Sequence, residues 1–111
     1  MRLKNADRAI ISEAKLRLYL LRADHPENKG KARLFAALGY TQANWQQLEA
    51  DLRVQHLTKD AIAGPVNNLG RKWRIEAILQ GPSGGARIRS VWMIYFRRDE
   101  PYFLTAYRLK R

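Results

Sequence analysis

The sequence predicts an α+β domain in which N-terminal helices pack on one face of a four-stranded antiparallel sheet. Three observations predict it. Apolar residues recur at helical spacing up to about Gln55, they alternate at period two from Ala61 onward, and turn residues separate the alternating stretches. At 111 residues the chain is read as a single domain, residues 1–111, because two independent cores would need more chain.

The first helix is expected from Ser12, an N-cap residue, to about Arg22, with Leu16, Tyr19 and Leu20 on one face. It stops before Asp24-His25-Pro26. A polar loop follows, then a short helix from about Lys31 to Leu38 with Gly39 as its C′ residue. Thr41 or Asn44 caps a third helix to roughly Gln55, on which Trp45, Leu48 and Leu52 repeat at helical spacing. Strands are expected at Ala61–Val66, Arg71–Leu79, Ala86–Arg97 and Tyr102–Lys110, joined by the turns Asn67–Gly70 and Gly81–Gly85.

Parity sorts each strand into a core side and an outer side. Ile88, Trp92, Ile94 and Phe96 fall together, which turns Arg87, Arg89, Tyr95 and Arg97 outward. Trp73, Ile75, Ala77 and Leu79 share the core side, opposite Lys72, Arg74 and Glu76. If Leu104 and Ala106 face the helices, then Phe103, Thr105 and Tyr107 join the arginines. Cations, hydroxyls and aromatic rings on one open face are the set that holds phosphates and stacks bases. The bland reading is a merely solvated face.

Lys and Arg number 21 against 10 Asp and Glu, a formal charge of +11 on a small surface. Residues 69–111 carry 10 of the bases and only 3 of the acids, so the sheet is the more basic half. Such an excess repels itself in the compact state and attracts phosphate-rich partners, RNA above all. No amphipathic helix combines a basic face with a broad apolar one, so no membrane partner is expected. With no cysteine and two histidines, thiolate chemistry, disulfides and a metal site are not expected, and no cofactor is implied. The N-terminal stretch lacks the apolar run of a signal peptide, and the chain is read as cytoplasmic.

Metal-free RNA cleavage needs a base for the 2′-hydroxyl, cations for the phosphorane and an acid for the leaving oxygen. His25, just before Lys29, Lys31 and Arg33, has cations nearby that favour the neutral ring a base requires, or it is a turn histidine closing the first helix. His25 or Glu76 serves as base, Lys31, Arg87 and Arg89 as cations, and Tyr107 or His25 as acid. Glu76 among Arg74, Arg87 and Arg89 reads first as a cross-strand salt bridge. Thr105 is either a strand former or a holder of a phosphate oxygen. Tyr95 and Tyr102 read as stacking or packing residues, and His56 as a structural, partly positive ring at a helix C-terminus.

Five stretches, NADRAIISEAKLRLYLL, DHPENKGKARLFAALGY, NWQQLEADL, ILQGPSGGARIRSVWMI and FLTAYRL, carry a resemblance over nearly the whole chain to a bacterial family of unknown function. That family is found alone and at the ends of larger toxin-like proteins. The HP and KA elements and the late T-A-Y strand also look like the barnase, EndoU, colicin and RelE-like superfamily (BECR fold) of metal-independent ribonuclease toxins. This second resemblance implies RNA cleavage on the open sheet face, with His25, Lys31, Arg89, Thr105 and Tyr107 as the catalytic set. It departs at Asn28, where glycine is more usual, and at Arg108, where proline often follows T-A-Y.

The expected function is therefore a metal-independent endoribonuclease, the toxin of a toxin–antitoxin system, masked by an acidic antitoxin or immunity protein. Lys29, Arg33, Lys72, Arg74, Arg87, Tyr95 and Arg97 are the expected RNA-binding residues. Two alternatives stand beside it: a non-catalytic RNA- or DNA-binding module, and an adaptor docking an acidic protein.

Overall fold

In the computed structural model, which describes residues 1–28 and 30–109, the Ser12 hydroxyl accepts the Lys15 N–H at 3.1 Å and starts the first helix as expected of an N-cap. That helix, Ala14–Leu20, is a π-helix, with Leu21 N–H closing on the Leu16 carbonyl at 2.8 Å. It buries Leu16 and Leu20 completely and leaves Tyr19 half-buried.

Helix α1 spans Lys31–Ala37, too short to persist alone, and stands because Ala32 and Phe35 are buried. Gly39 ends it at φ +98°, the left-handed conformation expected at C′. A 3₁₀ turn, Gln42–Asn44, carries a capping box between Thr41 and Asn44 and leads into α2, Trp45–Gln55, which buries Leu48 and Leu52.

The sheet comprises β1 (Ile62–Val66), β2 (Gly70–Gly81), β3 (Gly84–Tyr95) and β4 (Tyr102–Arg108), antiparallel throughout in the order β1-β2-β3-β4. The C-terminal end of the last predicted strand, Lys110, lies outside the described residues. Helices and sheet share one core. Leu16, Leu20, Phe35, Leu48 and Leu52 meet Ile75, Leu79, Ile88, Trp92 and Phe103, with Trp92 and Phe103 edge to face at 5.3 Å.

The β2–β3 turn is tighter than its Gly-Pro-Ser-Gly-Gly composition suggests: Gly81 pairs with Gly84 and only Pro82-Ser83 turn the chain. A side chain on Gly81 would collide with the Leu38 carbonyl, which accepts the Ser83 N–H at 2.9 Å, so the hairpin tip is docked on the end of α1.

Two parity assignments change. β4 carries a bulge: Val91 pairs with Thr105 but Trp92 with Phe103, so Leu104 is an extra residue. Phe103 consequently enters the core instead of joining the outer face, while Thr105 and Tyr107 keep theirs. Phe96 lies beyond the end of β3 and is 65% exposed, because pairing with β2 stops at Gly70–Tyr95. Among the described residues no helix is long and apolar enough to cross a membrane.

Candidate functional site

The outer face of β3 and β4 is the candidate site. Arg89 and Tyr107 are direct cross-strand partners, and Arg89 Nη1 donates to the Tyr107 hydroxyl at 3.1 Å. Arg89 also grips Glu76, its cross-strand partner on β2, through Nε at 2.9 Å and Nη2 at 2.6 Å. Arg74 Nε reaches the same carboxylate oxygen at 3.1 Å. Burial alone would raise the Glu76 pKa, but the bonds and charges of Arg89 and then Arg74 hold it below the usual carboxylate range. Glu76 is thus a salt bridge that orients two guanidinium groups, and a poor base. The bond to Tyr107, chiefly, and those to Glu76 raise the Arg89 pKa further and keep it cationic.

Lys31 enters from the first residue of α1. Its Nζ donates to the Tyr19 hydroxyl at 3.0 Å and to Thr105 Oγ1 at 3.1 Å, and those two oxygens are 3.3 Å apart. The ammonium also lies 5.8 Å from the centre of the Tyr107 ring, while the Arg89 guanidinium lies 5.6 Å from it. Two cations therefore lie against one aromatic ring. Two N–H bonds of Lys31 are committed, and a third is left for a ligand oxygen.

His25 joins through Tyr19. Their rings meet edge to face at 5.1 Å, and His25 Nδ1 accepts the Glu27 N–H at 3.1 Å. A neutral ring that accepts at Nδ1 carries its hydrogen on Nε2. The loop is clasped by Asn28, which is 1% exposed: its Nδ2 donates to the Tyr19 and Arg22 carbonyls and its Oδ1 accepts the Gly30 N–H. Glycine there would remove all three bonds, and Gly30, at φ +81°, supplies the left-handed turn into α1.

Lys31, Arg89, Thr105 and Tyr107 thus converge, and His25 stands at their margin, touching the group only through Tyr19. Arg74, Arg87 and Lys72 share their sheet face by parity. Three expected RNA-binding residues do not gather with them. Arg33 is two positions past Lys31 on a helix, hence on a different side, and borders Gly30, Ala36 and Thr41 instead. Tyr95 is six residues along β3 from Arg89, roughly 20 Å away, where it packs on Tyr102 at 5.3 Å. Arg97 lies past the strand end beside Phe96 and Arg98. Lys29 lies outside the described residues.

Tyr19 is the residue that parity and periodicity missed. Its helical spacing with Leu16 and Leu20 reads as core, yet a half-buried phenol needs a hydroxyl partner, and that requirement was the available signal. Burial raises the Tyr19 pKa, but the hydrogen bonds with Lys31 and Thr105 and the charges of Lys31 and Lys15 outweigh it and bring the phenol below its ordinary value.

The family model described as "Domain of unknown function (DUF6883)" matches residues 2–110, and the chain belongs to that family. The family has no assigned activity, and its match carries no link to ribonuclease toxins. No curated protein and no solved structure matches the chain.

Proposed function

Starting from membership of a family without an assigned activity, we propose that this protein is a metal-independent endoribonuclease working on the outer face of its sheet. We propose further that it is the toxin of a toxin–antitoxin pair whose acidic antitoxin or immunity protein covers the same cations. One observation carries the reading. Residues far apart in sequence form one chain of polar contacts on an open face, from Glu76 through Arg89 and Tyr107 to Lys31, Thr105 and Tyr19, with His25 one ring further.

In the proposed reaction the substrate's 2′-oxygen attacks the adjacent phosphorus, the P–O5′ bond breaks, and a 2′,3′-cyclic phosphate and a 5′-hydroxyl result. Lys31 and Arg89 balance the charge that grows on the non-bridging oxygens. Thr105 holds Lys31 in place. His25 takes the 2′ proton on Nδ1, releasing the Glu27 N–H at a cost of about 1 kcal/mol on an exposed loop. Tyr107, held at Arg89, gives its proton to the departing 5′-oxygen.

The same His25 Nδ1 contact favours a second reading, a non-catalytic RNA-binding module, because the lone pair a base would use is already engaged. Incubating the protein with total RNA and tRNA in excess EDTA separates the two. Cyclic-phosphate ends, lost about 100-fold or more in His25→Ala and Arg89→Ala, are expected for the nuclease. Intact RNA retained on a gel, with affinity falling steeply as salt rises, means the binding module. RNA neither cut nor bound at low salt overturns both.

A further inference from the structure

β1 reads Ile-Ala-Gly-Pro-Val, and its pairing with β2 breaks in the middle: Ala63 faces Trp73 but Val66 faces Arg71. Three steps on β1 therefore match two on β2, which makes Gly64-Pro65 a bulge. Each residue suits that break. Pro65 has no N–H to lose from a ladder. The Gly64 carbonyl is taken by the Arg71 guanidinium at 2.9 Å, and a Cβ at position 64 would press to 3.0 Å from the Lys72 carbonyl oxygen. Glycine is what lets the edge strand run this close to β2.

The bulge borders an open cavity of about 200 Å³, lined by Gly64, Pro65, Lys72, Trp73, Arg74 and Val91 and also by Arg89 and Tyr107. The last two belong to the cation cluster, so the cavity opens beside the atoms proposed to hold a phosphate. Its size is selective. A cavity of about 150 Å³ accepts benzene, whereas pockets for larger ligands start at about 300 Å³. One planar ring fits, and a sugar and phosphate remain outside.

We infer that this bulge cavity is the subsite for a nucleobase of single-stranded RNA flanking the phosphate held by Lys31 and Arg89. The inference rests on the reading of the outer face as an RNA site and adds what that site recognises. Val91 and Pro65 supply apolar surface for the base, and Tyr107 and the paired guanidinium groups of Arg74 and Arg89 offer flat faces of the kind on which unstacked bases lie. Glu76 holds both guanidinium groups through one carboxylate oxygen, so the wall is fixed before a base arrives. A paired base inside a duplex cannot enter, which makes single-stranded segments the substrate. Val91 sets the depth of the cavity and is the specificity-determining residue.

Adenosine 3′-monophosphate, cytidine 3′-monophosphate and inorganic phosphate, titrated separately into the wild-type protein at low salt and followed by amide chemical shifts, test this. At least one nucleotide is expected to bind ten-fold or more tightly than phosphate and to shift Gly64 and Val91, whereas phosphate alone leaves those two unmoved. Val91→Trp, which fills the cavity, is expected to bind phosphate as before while losing the nucleotide preference. Equal affinities for phosphate and both nucleotides in the wild type, or a preference surviving in a folded Val91→Trp, overturns the subsite alone. Failure of all three ligands to bind overturns the RNA face and the subsite together. Should Val91→Trp not fold, the wild-type comparison still decides.

Discussion

Arg89 and Ser90 are neighbours on β3, yet their side chains enter two polar networks of opposite kind. On the outer face Arg89 joins Glu76, Tyr107 and Lys31 in a charged array open to solvent on one side. On the core face the Ser90 hydroxyl lies 2.7 Å from His56 Nδ1 and accepts the Trp92 indole N–H at 2.9 Å, with all three side chains fully buried. The outer network keeps its charges because water and opposite charges solvate them. The inner one is neutral: burial drives the His56 pKa down to about 4, which overturns the expectation of a partly positive ring at the helix end. One residue of strand parity separates a charged array open to solvent from a brace that can only hold the core.

That contrast makes predictions of graded size. His56→Ala, which opens a cavity and strands Ser90, is expected to cost about 3 kcal/mol or more in urea denaturation. A cost below about 1 kcal/mol would mean the inner network is not a brace. The same histidine makes stability depend on pH. Its folded pKa of about 4 lies below the ordinary value of 6.5, so between these values the unfolded chain binds a proton that the native state refuses. Stability is complete above about pH 6.5 and falls by about 3 kcal/mol as the pH drops to 4. His56→Leu should flatten that part of the profile, and an unchanged slope would assign it to the carboxylates.

The outer network should behave in the reverse sense. If the proposed RNA cleavage is the activity, Lys31→Ala and Arg89→Ala are each expected to lower it about 100-fold, or about 2.7 kcal/mol of barrier. Their pairs are part-exposed, so each should shift stability by less than about 1 kcal/mol. A large loss of stability with cleavage intact would place Arg89 with the braces. Smallest of all, Tyr19→Phe removes one acceptor from Lys31 and should cost no more than about 0.5 kcal/mol in stability. Cleavage by this variant, followed against pH, should fall less than in Lys31→Ala.

Much of this was legible in the residues because local chemistry enforces it. Gly39 at a helix end, the Thr41/Asn44 cap and the alternation of β2 and β3 each satisfy a rule that acts within a few residues. Parity also turned Arg89, Thr105 and Tyr107 to the same side, as observed. It failed at Phe103, where one inserted residue in β4 shifts the alternation, and at Phe96, where the strand ends sooner than its composition suggests. Arg33 and Arg97 were grouped with the site by charge, which has no direction until a helix or turn aims it.

From its sequence alone the protein's fold class, the order of its elements and the basic character of its sheet were determined, since propensity, periodicity and charge are properties of short stretches. Whether Lys31 reaches Thr105, whether Glu76 is salt-bridged, whether the Tyr19 hydroxyl meets Lys31 and Thr105, and where the edge strand bulges were decided only in the tertiary structure. Those outcomes depend on distances between segments dozens of residues apart, set by how the whole core packs and by no local preference.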